Sequence, residues 1–166
     1  MPRLPFLSLG AAGLAALWWL WPRLRPMLPP APPAGAPEVI TVFVETHERT
    51  FGAVDLWRRR PGALLVLQGR PDSLAQSRAY IGGRGVWPGE TPGVVALTEG
   101  CDTVGQLAAL TRWLRPQPRG RVTVVTSSNH LVRSLAIGRI LLGAEGWRVE
   151  GHAVATHEHR AETRWG

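Results

Sequence analysis

The 166-residue chain has no lysine, and all 19 of its basic residues are arginine. It has one cysteine and one tyrosine. A single cysteine, Cys101, excludes an intrachain disulfide and any metal site built on several thiolates. The glycine-rich fingerprints are missing too. No Gly-x-Gly-x-x-Gly follows the first buried-strand pattern, where Glu45-Thr46-His47-Glu48-Arg49 stands instead. There is no P-loop and no Gly-x-Ser-x-Gly elbow. These absences disfavour a nicotinamide oxidoreductase, a P-loop ATPase and a standard α/β-hydrolase.

The formal net charge is +7, with 45% hydrophobic and 19% charged residues. A packed core is expected, and wholesale disorder is not. Arginine without lysine, beside many Ala, Gly and Pro, reads as a coding-composition bias. No arginine stripe carries interleaved aromatics, so nucleic acid is not expected as a partner.

Residues 1–21 read as a membrane anchor. Leu4–Trp21 carries no charge. At about 1.5 Å rise per residue it is just long enough for a bilayer core of about 30 Å. Trp18, Trp19 and Trp21 crowd one end, as interfacial aromatics do, and Arg23 and Arg25 follow. Ala34-Gly35-Ala36 resembles a cleavage site, but it lies far past the apolar run and precedes Pro37. An uncleaved single-pass anchor is therefore favoured. The arginine count on either side leans slightly toward a cytoplasmic domain. Residues 22–37 hold seven prolines, ending at Pro37, and read as a semi-rigid spacer.

From Glu38 the pattern is regular. Val39–Val44, Ala63–Leu67 and Val122–Val125 are short apolar, β-branched runs typical of buried strands, and Gly93–Leu97 is a further strand. Arg148–Ala155 alternates more and suggests an edge strand. Between them lie helical stretches, the first with Phe51, Val54 and Trp57 at helical spacing. Asp72 or Ser73 is expected to cap the second helix and Asp102 or Thr103 the third. Strand and helix alternating at about 30 residues per unit means parallel strands joined by right-handed crossovers. The expected fold is α/β: a three-layer sandwich with a mostly parallel sheet of about five strands over residues 38–156. A polar tail follows over 157–166.

Such a sheet gathers the strand C-terminal ends along one edge. Four polar turns then converge: Glu45/His47/Arg49, Gln68/Gly69/Arg70, Glu99/Asp102/Thr103 and Ser127/Ser128/Asn129/His130. Thr126-Ser127-Ser128-Asn129 reads as a polar turn at a helix N-terminus, where free N–H groups and the helix dipole favour a phosphate or carboxylate. Ordinary capping explains one of these residues but not all four. His130 and Arg133 lie three apart on one helical face and suit a proton donor beside a charge clamp. A structural hydrogen bond explains His130 equally well. Glu99 and Asp102 suit an acid–base pair or a sugar hydroxyl, although a helix cap is the simpler role for Asp102. A solvated face is the simplest role for Arg49 and for Arg58–Arg60. His152, His157 and His159 could suggest a metal, but His157 and His159 fall in a loop pattern with no third ligand at strong spacing, so no metal is expected.

Val125-Thr126-Ser127-Ser128-Asn129-His130-Leu131-Val132-Arg133-Ser134 resembles the V-T-S-x-x-H-M-x-R-A element of the YdcF-like family, which includes the SanA and ElyC envelope proteins. Glu99-Gly100-Cys101-Asp102-Thr103-Val104 resembles that family's acidic, Thr-containing turn. Arg49, Ala53 and Leu56 resemble the Arg-x-x-x-Ala-x-x-Leu of its first helix. The likeness runs from Val39 to about Ala155. The chain departs from the family at Glu45-Thr46-His47-Glu48, where a Gly-rich turn is usual, and at Gln106, Leu131 and Ser134.

The resemblance implies a Rossmann-like domain, tethered by one transmembrane helix and placed outside the cytoplasmic membrane. It also implies a role in cell-envelope biogenesis, with no settled reaction and no cofactor specified. The expected site has His130, Arg133, Glu99 and Asp102 as catalytic groups. Thr126, Ser127, Ser128, Asn129, Thr103, Arg49, Gln68 and Gly69 would hold a small anionic ligand, phosphorylated or glycan-lipid. Two other readings stay open: a nucleotide or S-adenosylmethionine binding module without catalysis, and a membrane-tethered scaffold with a vestigial pocket.

Overall fold

The computed structural model of the protein describes residues 34–85 and 91–155. The expected anchor, most of the Pro-rich spacer, the polar tail, and His157 and His159 lie outside the described residues. No helix among the described residues is long and apolar enough to cross a membrane.

Among the described residues five strands and four helices alternate without exception. They are β1 (Glu38–Phe43), α1 (His47–Arg58), β2 (Leu64–Gln68), α2 (Pro71–Gly82), β3 (Val94–Leu97), α3 (Thr103–Leu114), β4 (Arg121–Ser127), α4 (Ser128–Ala144) and β5 (Arg148–Val154). All strand pairs are parallel, in the order β3-β2-β1-β4-β5. This is the expected α/β class, in Rossmann-like form. The runs at Val39–Val44, Ala63–Leu67 and Val122–Val125 became the interior strands, because a strand covered on both faces has no polar side to show, whereas β3 lies at an edge and is only half-buried. β5 is an edge, and its burial alternates as its sequence does.

The sheet separates two cores. Val39, Phe43, Val66, Val122 and Val124 face Leu107, Leu110 and Leu114 of α3 and Leu142 of α4. Ile40, Val42, Leu65, Leu67 and Val125 face Ala53, Val54 and Leu56 of α1 and Leu74 of α2. Alternate residues of each strand divide between the cores, as the pleat requires.

α1 is rotated from its sequence reading. Phe51 and Trp57 are half-buried at its flanks, and the buried positions are Arg49, Thr50, Ala53, Val54 and Leu56. The reason is close approach. A β-carbon on Gly52 would lie 2.5 Å from Val154 Cγ2. Small residues let the helix settle on β5, and the larger aromatics are turned outward. Phe51 then meets Tyr80 edge-on at 6.2 Å between ring centroids, and Trp57 donates its indole N–H to the Ala63 carbonyl at 2.8 Å.

Two further local readings are corrected. β4 runs to Ser127 and α4 begins at Ser128, so no polar turn separates them. Neither Asp72 nor Ser73 caps α2: Arg70 is the N-cap residue, without a side-chain bond, and Pro71 opens the helix. Proline suits that position, since its missing N–H would have had no helical partner.

Candidate functional site

The strand order defines where a site belongs. From β1 the chain proceeds to β2 and β3 on one side, and later to β4 and β5 on the other. The switch lies between β1 and β4. Their flanking helices sit on opposite faces, which opens a crevice at the strand C-terminal ends.

One side chain spans it. Arg49, in the first turn of α1, is 2% exposed. Its Nη2 donates to Ser127 Oγ at the end of β4, at 2.8 Å, and its Nη1 donates to Glu45 Oε2 at 2.6 Å. Ser127 Oγ in turn donates to Asn129 Oδ1 at 2.6 Å. Arg49 Nε is buried without a partner among the described residues. The solvated face is therefore not where Arg49 lies. The guanidinium points inward over the crevice, and its ion-pair partner Glu45 is 52% exposed at the side chain.

The first turn of α4 completes this cluster. Ser127 is its N-cap residue, but its hydroxyl makes no cap bond because it is committed to Arg49 and Asn129. The initial N–H groups of a helix have no intrahelical partner. Here no side chain takes their place, and Ser128 and Asn129 are exposed. A buried guanidinium and an uncapped helix start therefore meet at one place, and both favour negative charge.

His130 and Arg133 are adjacent, as their spacing requires. An Arg133 Nη2 lies 3.2 Å from His130 Nδ1, which accepts when the imidazole carries its proton on Nε2. Both sit near the start of α4, with Arg133 exposed.

The third turn stands apart. β3 is three strands from β4, about 14 Å at the usual spacing. Glu99 pairs with Arg112 at 2.7 Å, with both side chains more than half exposed. Asp102 accepts the Gly105 N–H at 2.7 Å and caps α3. Thr103 is the first residue of that helix. Among the described residues, no hydrogen bond or ion pair joins Glu99, Asp102 or Thr103 to the Arg49 cluster.

Gln68 ends β2 and is fully buried, and its Nε2 donates to Thr41 Oγ1 at 2.6 Å. Gly69 is also buried; its N–H donates to the Leu97 carbonyl at 3.2 Å, in continuation of the sheet. Thr126 is fully buried and its hydroxyl has no partner among the described residues.

Sequence reasoning did not place Thr46 or Gln106 in the site. Nine buried side-chain polar atoms lack a partner among the described residues. Six of them belong to residues at or beside the C-terminal edge: Thr46, His47, Arg49, Gln68, Gln106 and Thr126. His47 also stacks on Tyr80 with ring centroids 4.0 Å apart. Gln106 stood in the sequence only as a departure from a family pattern. Its position in the first turn of a helix after a parallel strand was the available signal. An open depression of about 340 Å³ between Trp57, Arg60, Pro61 and Pro92 lies at the opposite sheet edge, away from all of these groups.

Among the described residues, no three His, Cys, Asp or Glu side chains are grouped to hold a metal ion. Cys101 is exposed and free.

Fold and site together define a Rossmann-like α/β domain with a cationic, partly unsatisfied crevice at its topological switch point. No family model and no curated protein matches the sequence. Among solved structures, the chain is similar to the terminal R domain from the myxalamid PKS-NRPS biosynthetic pathway, at 14% identity and a TM-score of 0.46. The match covers 81% of this chain and 41% of that one, so this chain spans less than half of that chain's length.

Proposed function

We propose that the domain binds a small phosphorylated ligand in the crevice between β1 and β4. The carrying observation is Arg49: a guanidinium 2% exposed, with one nitrogen unpartnered, held against a helix start that no side chain caps. Burying a cation is costly, and its one carboxylate partner is half in water. An incoming phosphate offsets that cost with charge-assisted bonds to Arg49 and to the N–H groups of Ser128 and Asn129. His130 and Arg133, one turn along, reach the outer side of the same anion. There His130 serves as proton donor and Arg133 as clamp.

The N-terminal apolar run, the Pro-rich spacer and the YdcF-like motif around His130 support a wider reading. The domain is a YdcF-like protein of the cell envelope, tethered by a single-pass anchor on the extracytoplasmic side, and its ligand is a glycan-lipid or a soluble phosphorylated precursor. Thermal unfolding with and without inorganic phosphate tests the binding. The melting temperature rises with phosphate in the wild type and stays flat in Arg49→Met. Equal shifts in both proteins, or none in the wild type, remove the proposal.

A further inference from the structure

The core beneath α3 and α4 carries a polar row that the anion site does not use. Gln68 is the register partner of Phe43. Pairing of Val42 with Val125 sets Thr126 beside Phe43 on the other side. Phe43 and Gln68 end their strands and Thr126 is the last but one residue of β4, all on the face that holds Val66 and Val124, beneath α3 and α4. Gln106, in the first turn of α3, is buried on the same side of the sheet as Leu107 and Leu110. Gln68 and Thr126 are fully buried and Gln106 is 3% exposed, yet Gln68 Oε1, Gln106 Oε1 and Thr126 Oγ1 have no partner among the described residues. Buried acceptors without donors are destabilising. These three belong to residues at the edge where open α/β sheets bind ligands.

The row is linked to the anion site through the strand itself. Thr126 and Ser127 are consecutive residues of β4, so their side chains leave opposite faces of the sheet. Ser127 is bound by Arg49, and Thr126 belongs to the polar row.

We propose that this row is a hydroxyl-binding subsite and that the ligand is a sugar phosphate. The phosphate lies on Arg49 and the α4 N-terminus. Ring hydroxyls donate to Gln68 Oε1 and Gln106 Oε1 and exchange a hydrogen bond with Thr126 Oγ1. The chemistry of the row selects this class. An acyl chain leaves the acceptors unpaired, and a second anion sets acceptor against acceptor. Hydroxyls supply the missing donors and can accept from Thr126. Gln68 and Thr126 stand two strand spacings apart, about 10 Å, which a hexose with a hydrogen bond at each end spans. The inference rests on the anion reading of the Arg49 site.

The test is calorimetric titration of the full chain with inorganic phosphate and with the 1-phosphates of glucose, galactose, mannose and N-acetylglucosamine. At least one sugar phosphate binds about tenfold or more tighter than phosphate, the worth of about one net hydrogen bond. Gln106→Leu and Thr126→Val each lose most of that preference and keep phosphate affinity. Gln68→Met does the same if either of those variants fails to fold. Arg49→Met loses both ligands. If phosphate binds and no sugar phosphate is preferred, the hydroxyl subsite is overturned while the anion site stands. If neither binds, both are overturned. A preference unchanged in every row variant also overturns the subsite.

Discussion

Arg49→Met separates a ligand-binding guanidinium from a structural tie, because the two roles predict different stability changes. In the folded domain Arg49 makes a bond to Ser127 and an ion pair to Glu45. A hydrogen bond to a charged group contributes about 1.5–3 kcal/mol. An ion pair whose partner is half exposed contributes at most about 1 kcal/mol. Against these stands the desolvation of a nearly fully buried guanidinium with an orphaned Nε, which costs several kcal/mol. Methionine fills a similar volume without that cost. Glu45 returns to water, and Ser127 keeps its bond to Asn129. The balance lies between no change and a gain of about 2 kcal/mol. Urea unfolding reads it directly: the midpoint stays or rises, with the m-value unchanged. A loss of more than about 3 kcal/mol, the usual consequence of breaking a needed buried pair, refutes the reasoning and makes Arg49 part of the scaffold.

Three other substitutions check neighbouring parts of the account. Gly52→Ala sets a gain of about 1 kcal/mol in helix propensity against overpacking of about 1–3 kcal/mol on Val154. The melting temperature falls by about 4 °C for each net kcal/mol lost, and a rise contradicts the close packing of α1 on β5. Asp102→Ala removes the α3 cap and costs about 1 kcal/mol, whereas Glu99→Gln, which loosens an exposed pair, stays within about 0.5 kcal/mol. Differential calorimetry distinguishes them, and equal losses show that the β3 turn is held together differently. His130→Ala leaves stability within about 0.5 kcal/mol, as exposed contacts do, but weakens phosphate binding several-fold. Unchanged affinity takes His130 out of the site.

The alternation of strands and helices was legible because a buried parallel strand writes itself as a continuous apolar run. Val39–Val44 and Val122–Val125 could be read that way with boundaries off by only one or two residues. The order of the strands was not legible. Nothing in those runs says that β1 lies between β2 and β4, and the site is where it is because of that order. Convergence of polar turns on one edge was therefore correct but undiscriminating. It grouped Glu99 and Asp102 with Ser127, although three strand spacings separate their strands. Arg49 was misjudged for a related reason. The large aromatics Phe51 and Trp57 signalled the core face of α1, but Gly52 and Ala53 set how closely the helix docks. That contact turns Arg49 inward. The apparent turn at Thr126–His130 was a matter of composition. Hydroxyl residues are common at caps, yet here Thr126 and Ser127 continue the strand, and Ser127 gives its hydroxyl to Arg49 instead of to its own helix.

The central claim is that an anion sits between Arg49 and the start of α4. Two-dimensional NMR of the amide-labelled protein during titration with inorganic phosphate tests it at single residues. Saturable shifts of the Ser128, Asn129 and His130 amides, together with the Arg49 Nε–H, are the predicted result. Shifts confined to the opposite edge, around Arg60 and Arg121, or no saturable shift at all, contradict it.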